Sequence, residues 1–147
     1  MNSEQFMTLH RHWIWCEIIK GSFELEIKKH PPDKVKQKME HLMLGPYGAY
    51  MSIWYGMLFS ILETLKGENV TIPNVESEIK DIYKPLRLYR NAVFHPQPKY
   101  WSHKLFEIMK DTESSSKIWK THNAISKYFL KEIDTRRNNN LRRKKSE

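Results

Sequence analysis

Residues 42–62 form the stretch that most constrains how this chain can fold, because no charged side chain occurs in it. Gly45-Pro46 cuts the stretch near its start, and the remaining run is short for a membrane span and contains several Gly, Ser and Tyr residues. The mean hydropathy of the chain, −0.70, also argues against a membrane protein. We therefore predict a core helix over about residues 47–65, buried by other helices or by a second subunit. Its predicted buried residues are Ile53, Trp54, Met57, Leu58, Ile61, Leu62 and Leu65.

Small residues recur every four positions along this core helix, at Gly48, Ser52, Gly56 and Ser60. Residues at this spacing lie on one face of a helix, where they let another backbone approach closely. The sequence leaves open whether that face is a dimer seam or packs inside one subunit.

The chain before the core helix predicts two helices. Apolar residues at helical steps favour a long amphipathic helix over about residues 3–28, which His30-Pro31-Pro32 ends. Asp33 can cap a shorter helix that continues through Leu44. The apolar stripe of the first helix comprises Phe6, Leu9, Trp13, Cys16, Ile19, Phe23 and Ile27.

The chain after the core helix predicts three more helical segments. One runs over about residues 74–94 and contains Pro85, which should kink or split it. A short helix comes next over about residues 99–109, and Ser115 or Ser116 can cap a final helix. No strand-like alternation competes with this interpretation, so we predict an all-α fold, an antiparallel bundle of four to six helices. The final helix carries a stripe of Ile118, Trp119, His122, Ile125, Phe129 and Ile133.

The length of 147 residues fits one domain, which we place at residues 1–135. A basic C-terminal tail comes after it at residues 136–147, where six basic residues and one acidic residue carry +5 of the net charge of +8. Such a tail can attract a polyanion without reading its sequence, or it can simply keep the protein in solution, and the sequence does not decide between the two.

Cysteine and histidine usage argues against several site classes. The single Cys16 cannot form an internal disulfide, and the N-terminus lacks the pattern of a signal peptide, so we predict a cytoplasmic protein. His10 and His12 are two residues apart and therefore face different sides of a helix. We predict no metal site and no cofactor.

The segment Arg90-Asn91-Ala92-Val93-Phe94-His95, with Pro96 after it, carries the strongest chemical signal in the chain. Arg90 lies four residues after Leu86, at the edge of an apolar stripe, where a charge needs a partner, a ligand or an interface. An arginine offers a permanent charge and a planar fork of donors for a phosphate, and a histidine exchanges protons near neutral pH.

This segment resembles the signature of HEPN domains, in which an Arg is followed by a polar residue and, four to six residues beyond, by a His. The resemblance implies an all-α homodimer whose two motifs meet at the subunit interface and, in many members, form a metal-independent ribonuclease site. Arg90, Asn91 and His95 are then the catalytic candidates. His95 would move the proton of a ribose 2′-hydroxyl, while Arg90 would stabilise the charged phosphate.

Residues just after the motif add cations and aromatic rings that suit single-stranded RNA. We predict substrate-binding roles for Lys99, Tyr100, His103 and Lys104. On an ideal helix Arg90 and His95 lie about 140° apart, so they converge only if the helix unwinds near Pro96 or if each works with a residue of another subunit.

Two simpler explanations stand beside this hypothesis. Arg90 can pair with a carboxylate such as Glu63 or Glu78, and His95 can serve as a helix cap. The competing functional class is a non-catalytic helical module that binds a nucleotide or a protein partner, as some HEPN proteins do beside a nucleotidyltransferase antitoxin. A DNA-binding protein ranks last, because no recognition-helix turn is visible.

Overall fold

The computed structural model describes residues 1–30, 39–99, 102–109 and 111–146. Six α-helices and one 3₁₀ turn occur in these ranges, and no strand does, which confirms the predicted all-α helical bundle. Asp33, Tyr100 and Trp101 lie outside the described residues, and so does the helix cap predicted at Asp33. The helices are α1 (Ser3–Lys29), α2 (Met39–Leu44), α3 (Pro46–Gly67), α4 (Glu76–Phe94), α5 (His103–Phe106) and α6 (Ser114–Ser146), with the 3₁₀ turn at Glu107–Met109.

Four long helices, α1, α3, α4 and α6, pack as an antiparallel bundle. In each neighbouring pair, residue numbers rise along one helix as they fall along the other. The pairs that show this are Phe23 with Tyr47 and Gln5 with Glu68 (α1 and α3), Tyr55 with Tyr89 and Phe59 with Tyr83 (α3 and α4), Glu78 with Lys120 and Asp81 with Lys117 (α4 and α6), and Phe6 with Phe129 and Trp13 with His122 (α1 and α6). The four contacts close a ring around one core.

Helix α1 begins at a capping box and ends just before Pro31. The Gln5 amide donates to Asn2 Oδ1 at 2.9 Å, and the Asn2 amide donates to Gln5 Oε1 at 2.8 Å. Two otherwise unpaired donors at the helix start are thereby satisfied. The predicted stripe from Phe6 to Phe23 is buried, except that Ile19 is only half-buried, as is Ile27 beyond it.

Helix α3 is the predicted core helix. It begins at Pro46, whose fixed φ suits the first helical position, with Gly45 before it in an extended conformation. The prediction that Ile53 is buried was wrong, because Ile53 lies on the side of α3 opposite Trp54 and Leu58 and is exposed. Met57, at the edge of the buried face, is half-buried.

The small-residue face of α3 packs within this one chain. A Cβ at Gly48 would overlap the Met43 backbone of α2, and a Cβ at Gly56 would overlap the Phe94 ring of α4. Between them, the Ser52 and Tyr89 hydroxyls hydrogen-bond at 2.9 Å. Of the two interpretations left open by the sequence, close packing inside a subunit is the one these contacts fit.

Helix α4 runs unbroken through Pro85, so of the kink or split predicted there, the split does not occur. Ile82 and Leu86 are both fully buried on one face, so core packing holds the turns on both sides of the proline. The Arg90 motif therefore lies on the last turns of a long helix rather than on a separate short one.

The C-terminal third differs in detail from the prediction. Lys99 to Met109 is not one helix: α5 begins only at His103, capped by Ser102, and the 3₁₀ turn continues it. Ser115 and Ser116 lie inside α6, which begins at Ser114, and the Asp111 carboxylate accepts from the Glu113 amide at 2.9 Å in the turn before it. Helix α6 then continues across residue 135 to Ser146. None of the described helices is long and apolar enough to cross a membrane.

Candidate functional site

Arg90 extends from the end of α4 towards α3. Its Nη2 lies 3.3 Å from Glu63 Oε2, and its guanidinium carbon lies 5.1 Å from the centre of the Phe59 ring. Its buried Nε has no hydrogen-bond partner among the residues that the structure describes. Glu63 is one of the two carboxylates that the sequence offered as partners, and it is half exposed. An ion pair at this exposure contributes little to stability, so the guanidinium can exchange it for another anion at small cost.

His95 is the C-cap of α4. Its backbone amide donates to the Asn91 carbonyl at 3.1 Å, and its backbone is extended, with φ −125° and ψ 123°. The imidazole is exposed, and within the described ranges the structure shows no hydrogen bond to it.

The structure does not bring Arg90 and His95 together within one chain. Helix α4 extends to Phe94, and the His95 amide still makes the helical hydrogen bond, so the helix does not unwind before His95. The two side chains therefore leave the helix about 140° apart. Unwinding of the helix before His95 therefore does not bring the two side chains together.

Gln97, which the sequence analysis overlooked, organises the turn after the motif. Its Nε2 donates to the His95 carbonyl at 2.7 Å and to the Asn91 carbonyl at 3.3 Å. Its Oε1 accepts from Lys104 Nζ at 3.1 Å, which ties α5 to the end of α4. No signal in the sequence marks Gln97, because its partners are backbone carbonyls and a lysine in another helix.

The other predicted substrate-binding residues lie around this turn. Lys99 and His103 are exposed, and Lys104 is half-buried by its bond to Gln97. Asn91 is half-buried. The predicted role of Tyr100 falls on a residue outside the described ranges.

An apolar groove of about 330 Å³ adjoins the motif. Phe94, whose ring rests on Gly56, forms one wall, and Leu9 and His12 of α1 form another. His12 is held in place by a 2.9 Å hydrogen bond between its Nδ1 and the Thr8 carbonyl. This groove offers a surface on which an aromatic ring can pack close to Arg90-His95.

His122 of α6 lies in the core, unlike the exposed His95. Its Nδ1 accepts from Trp54 Nε1 at 3.1 Å, and its ring packs 4.3 Å from that of Trp13. Its Nε2 is 3.2 Å from Glu17 Oε1, although the two are not aligned for a hydrogen bond. Burial lowers the pKa of His122 to about 4, an effect that the Glu17 charge only partly offsets. The side chain is fully buried, so we interpret it as a structural group.

Metal-ligating residues do not cluster in the described ranges, where no group of three or more His, Cys, Asp or Glu side chains is arranged to hold an ion. Cys16 is buried, and burial raises the pKa of its thiol, which makes it an unreactive core residue. The end of α4 is therefore the candidate site, with Arg90, Asn91, His95, Lys99 and His103 around it. No protein-family model, curated protein or solved structure matches the chain.

Proposed function

We propose that this chain is a HEPN-like, metal-independent endoribonuclease that acts on single-stranded RNA as a homodimer. The observation that carries the proposal is the exposed imidazole of His95, fixed by its backbone at the end of α4, with Arg90 little more than one turn before it. A proton-transfer group and a phosphate-binding group thus lie at the same end of one helix, on different sides of it, in a fold of the expected class.

The reaction needs no cofactor. The ribose 2′-oxygen attacks the adjacent phosphorus while His95 takes the 2′-hydroxyl proton, and the bond from phosphorus to the 5′-oxygen breaks. The leaving 5′-oxygen receives a proton from a protonated histidine, which the second motif of a homodimer supplies. The products are a 2′,3′-cyclic phosphate and a 5′-hydroxyl end.

Arg90 would stabilise the negative charge that builds up on the phosphate oxygens. It would do so after leaving Glu63, since the half-exposed pair with Glu63 is weak. Asn91 would orient the phosphate or the imidazole, and the exposed Lys99 and His103 would contact neighbouring phosphates. Lys104 would hold the turn after the motif through its hydrogen bond to Gln97. It would also add a positive charge near the site.

The first experiment measures cleavage of a short single-stranded RNA in excess chelator. The wild-type chain should cleave it, and His95→Ala should lower the rate at least about 100-fold, the contribution typical of general acid–base catalysis. His41→Ala, which changes an exposed histidine of α2, is the matched control and should keep the full rate. Cleavage that survives His95→Ala, or that requires a divalent metal, contradicts the proposal.

A second experiment asks whether a complete site takes residues from two subunits. Wild-type chains mixed with an excess of His95→Ala chains should lose most of their activity, because a mixed dimer keeps only one of the two histidines that the reaction needs. Mixed dimers, demonstrated by mass, that keep half of the rate of wild-type dimers would exclude a site shared between subunits.

The alternative function is a non-catalytic module that binds a nucleotide or a protein partner such as a nucleotidyltransferase antitoxin. The observation in its favour is that Arg90 pairs with Glu63 and lies apart from His95 in each chain. A module of this kind would bind a nucleotide in a way that Arg90→Ala weakens and His95→Ala does not, and the wild-type protein would leave RNA intact.

A further inference from the structure

Helix α1 has an apolar outer face that no described part of the chain covers. Its inner face packs on α3 and α6, yet four large apolar residues on the opposite side are about half exposed or more. They are Met7 (56%), Ile14 (45%), Ile18 (61%) and Leu25 (57%). A helix that is apolar on both sides is typical of a buried helix, so this face lacks a partner.

These residues belong to one continuous stripe, which we call the outer stripe of α1. Its members are separated alternately by three and four positions, which is the spacing of the contact positions in a coiled coil. The outer stripe comprises Glu4, Met7, Arg11, Ile14, Ile18, Gly21, Leu25 and Lys28.

The outer stripe is complementary to itself when a second α1 runs in the opposite direction. If a two-fold axis passes level with residue 16, each residue i of one helix faces residue 32 − i of the other. The four apolar residues then meet one another, with Met7 opposite Leu25 and Ile14 opposite Ile18. At both ends of the seam, Glu4 faces Lys28 with opposite charge.

One facing pair, Arg11 and Gly21, differs strongly in size, and this pair also fits the register. Arg11 faces Gly21, around which a Cβ would meet no atom within 4 Å, so the long aliphatic stem of the arginine has room there. The Arg11 guanidinium already stacks 5.4 Å from the centre of the half-exposed Trp15 ring, which broadens the apolar surface beside the stripe. A parallel arrangement would instead place Glu4 against Glu4 and Arg11 against Arg11.

We infer that the partner of this face is a second copy of the chain, joined through an antiparallel α1–α1 seam in which residue i faces residue 32 − i. The inference goes beyond the proposed function and does not rest on it, because the seam uses none of the residues of the α4 motif. It is a second interface, separate from the contact between α4 ends that a shared ribonuclease site requires. An inactive variant such as His95→Ala should therefore form the same dimer.

The first test is the mass in solution, measured by light scattering or sedimentation over a range of concentrations. The wild-type chain should be a dimer, or a larger assembly if the α4 ends also meet. Ile18→Asp, which places two buried carboxylates near the axis, should raise the dissociation constant of the seam at least about 100-fold and lower the mass. Leu130→Asp changes an equally exposed leucine on α6 and should leave the mass unchanged. A monomeric wild-type chain, or an assembly whose mass Ile18→Asp does not lower, overturns the inference.

The second test uses the charged ends. Glu4→Lys alone places two lysines opposite each other at both ends, and Lys28→Glu alone does the same with two glutamates, so each variant should dimerise more weakly than the wild type. Mixed together, the two variants should form a heterodimer in preference to either homodimer, because every end then pairs opposite charges. A statistical mixture of dimers would contradict this register.

The third test fixes the direction of the helices. A mixture of Met7→Cys and Leu25→Cys chains should form a disulfide between unlike chains on mild oxidation. Neither variant should cross-link with itself, since the two copies of residue 7 lie about 27 Å apart along the seam. Self-linked Met7→Cys dimers would demonstrate a parallel pair and overturn the inference. Cys16 is buried and does not compete.

Discussion

Two histidines of this chain, His122 and His95, occupy opposite environments. His122 lies in the core between Trp13 and Trp54, and its Nδ1 accepts a hydrogen bond from Trp54. His95 lies at the exposed end of α4, where its backbone is held by Asn91 and Gln97 while its ring faces solvent. The same side chain thus completes the core in one place and is left available for a ligand in the other.

This contrast separates polar groups that serve folding from polar groups that are free for function. Burial disfavours the charged form of His122, and its side chain is not accessible to solvent. The Arg90-His95 end has weak, half-exposed partners that a phosphate can replace. Substitutions in each region, and a truncation of the chain, test whether stability and function depend on separate residues.

The largest effect should come from truncating the partner of His122. Trp54→Ala removes a fully buried indole and leaves His122 Nδ1 without its donor, so the free energy of unfolding should fall by about 3–5 kcal/mol. Chemical denaturation measures this loss. Trp54→Phe keeps most of the volume and should cost less. A loss below about 1 kcal/mol would mean that this centre does not hold the bundle together.

The pH dependence of stability should come next in size. The pKa of His122 is lowered in the folded state, from 6.5 to about 4, chiefly by burial, so the unfolded chain binds the proton more tightly. The stability that neutral His122 contributes is fully present above about pH 6.5. It is lost as the pH falls towards 4, which lowers the free energy of unfolding by about 3 kcal/mol in total. Denaturation curves at several pH values measure the change.

The matched variant for this titration is His122→Asn, whose carbonyl oxygen can still accept from Trp54. It should be less stable than the wild type at pH 7, but the difference should shrink as the pH falls from 6.5 to 4. A difference that stays constant over this range would show that His122 does not titrate there.

Breaking the ion pair between Glu63 and Arg90 should have a small effect on stability and a clear effect on RNA binding. Glu63→Gln breaks a half-exposed ion pair, so the free energy of unfolding should change by less than about 1 kcal/mol. Because the guanidinium is then unpaired, affinity for a short single-stranded RNA should rise, and fluorescence anisotropy measures it. Weaker RNA binding by Glu63→Gln would place the phosphate contact elsewhere.

The smallest effect on stability is expected at the C-terminus. Arg136 stacks on Phe6 with 4.2 Å between the guanidinium carbon and the ring centre, so a truncation that spares the core must keep it. Removing residues 138–147 deletes four basic side chains and should leave the unfolding free energy unchanged. The slope of log affinity for single-stranded RNA against log salt should flatten by up to about 3. An unchanged slope would indicate that the tail only keeps the protein in solution.

Most of the bundle could be predicted from the sequence, because α1 and α3 contain apolar residues at helical steps and have clear boundaries at Pro31 and Pro46. The errors have local causes. Ile53 looks like a core residue by type, but its angular position puts it on the outer side of α3. Pro85 looks like a break, but buried neighbours on both sides keep α4 in one piece.

The candidate site was less accessible to sequence reasoning, since its geometry depends on contacts between distant segments. The motif identified Arg90 and His95, and Glu63 was one of two carboxylates considered. Which of them pairs with Arg90 depends on how α3 packs on α4, and that is set by Gly56 beneath the Phe94 ring. Gln97 carries no pattern that would reveal its bonds to His95 and Lys104.

If the end of α4 carries the chemistry and the His122 centre carries the fold, substitutions at the two histidines should have opposite effects. RNA cleavage in chelator and the free energy of unfolding are measured on the same preparations of the wild type, His95→Ala and His122→Asn. His95→Ala should lose at least about 100-fold in rate with stability within about 0.5 kcal/mol of the wild type. His122→Asn, assayed where it is folded, should lose stability and keep its rate. Full activity in His95→Ala, or a stable but inactive His122→Asn, would contradict this division of roles.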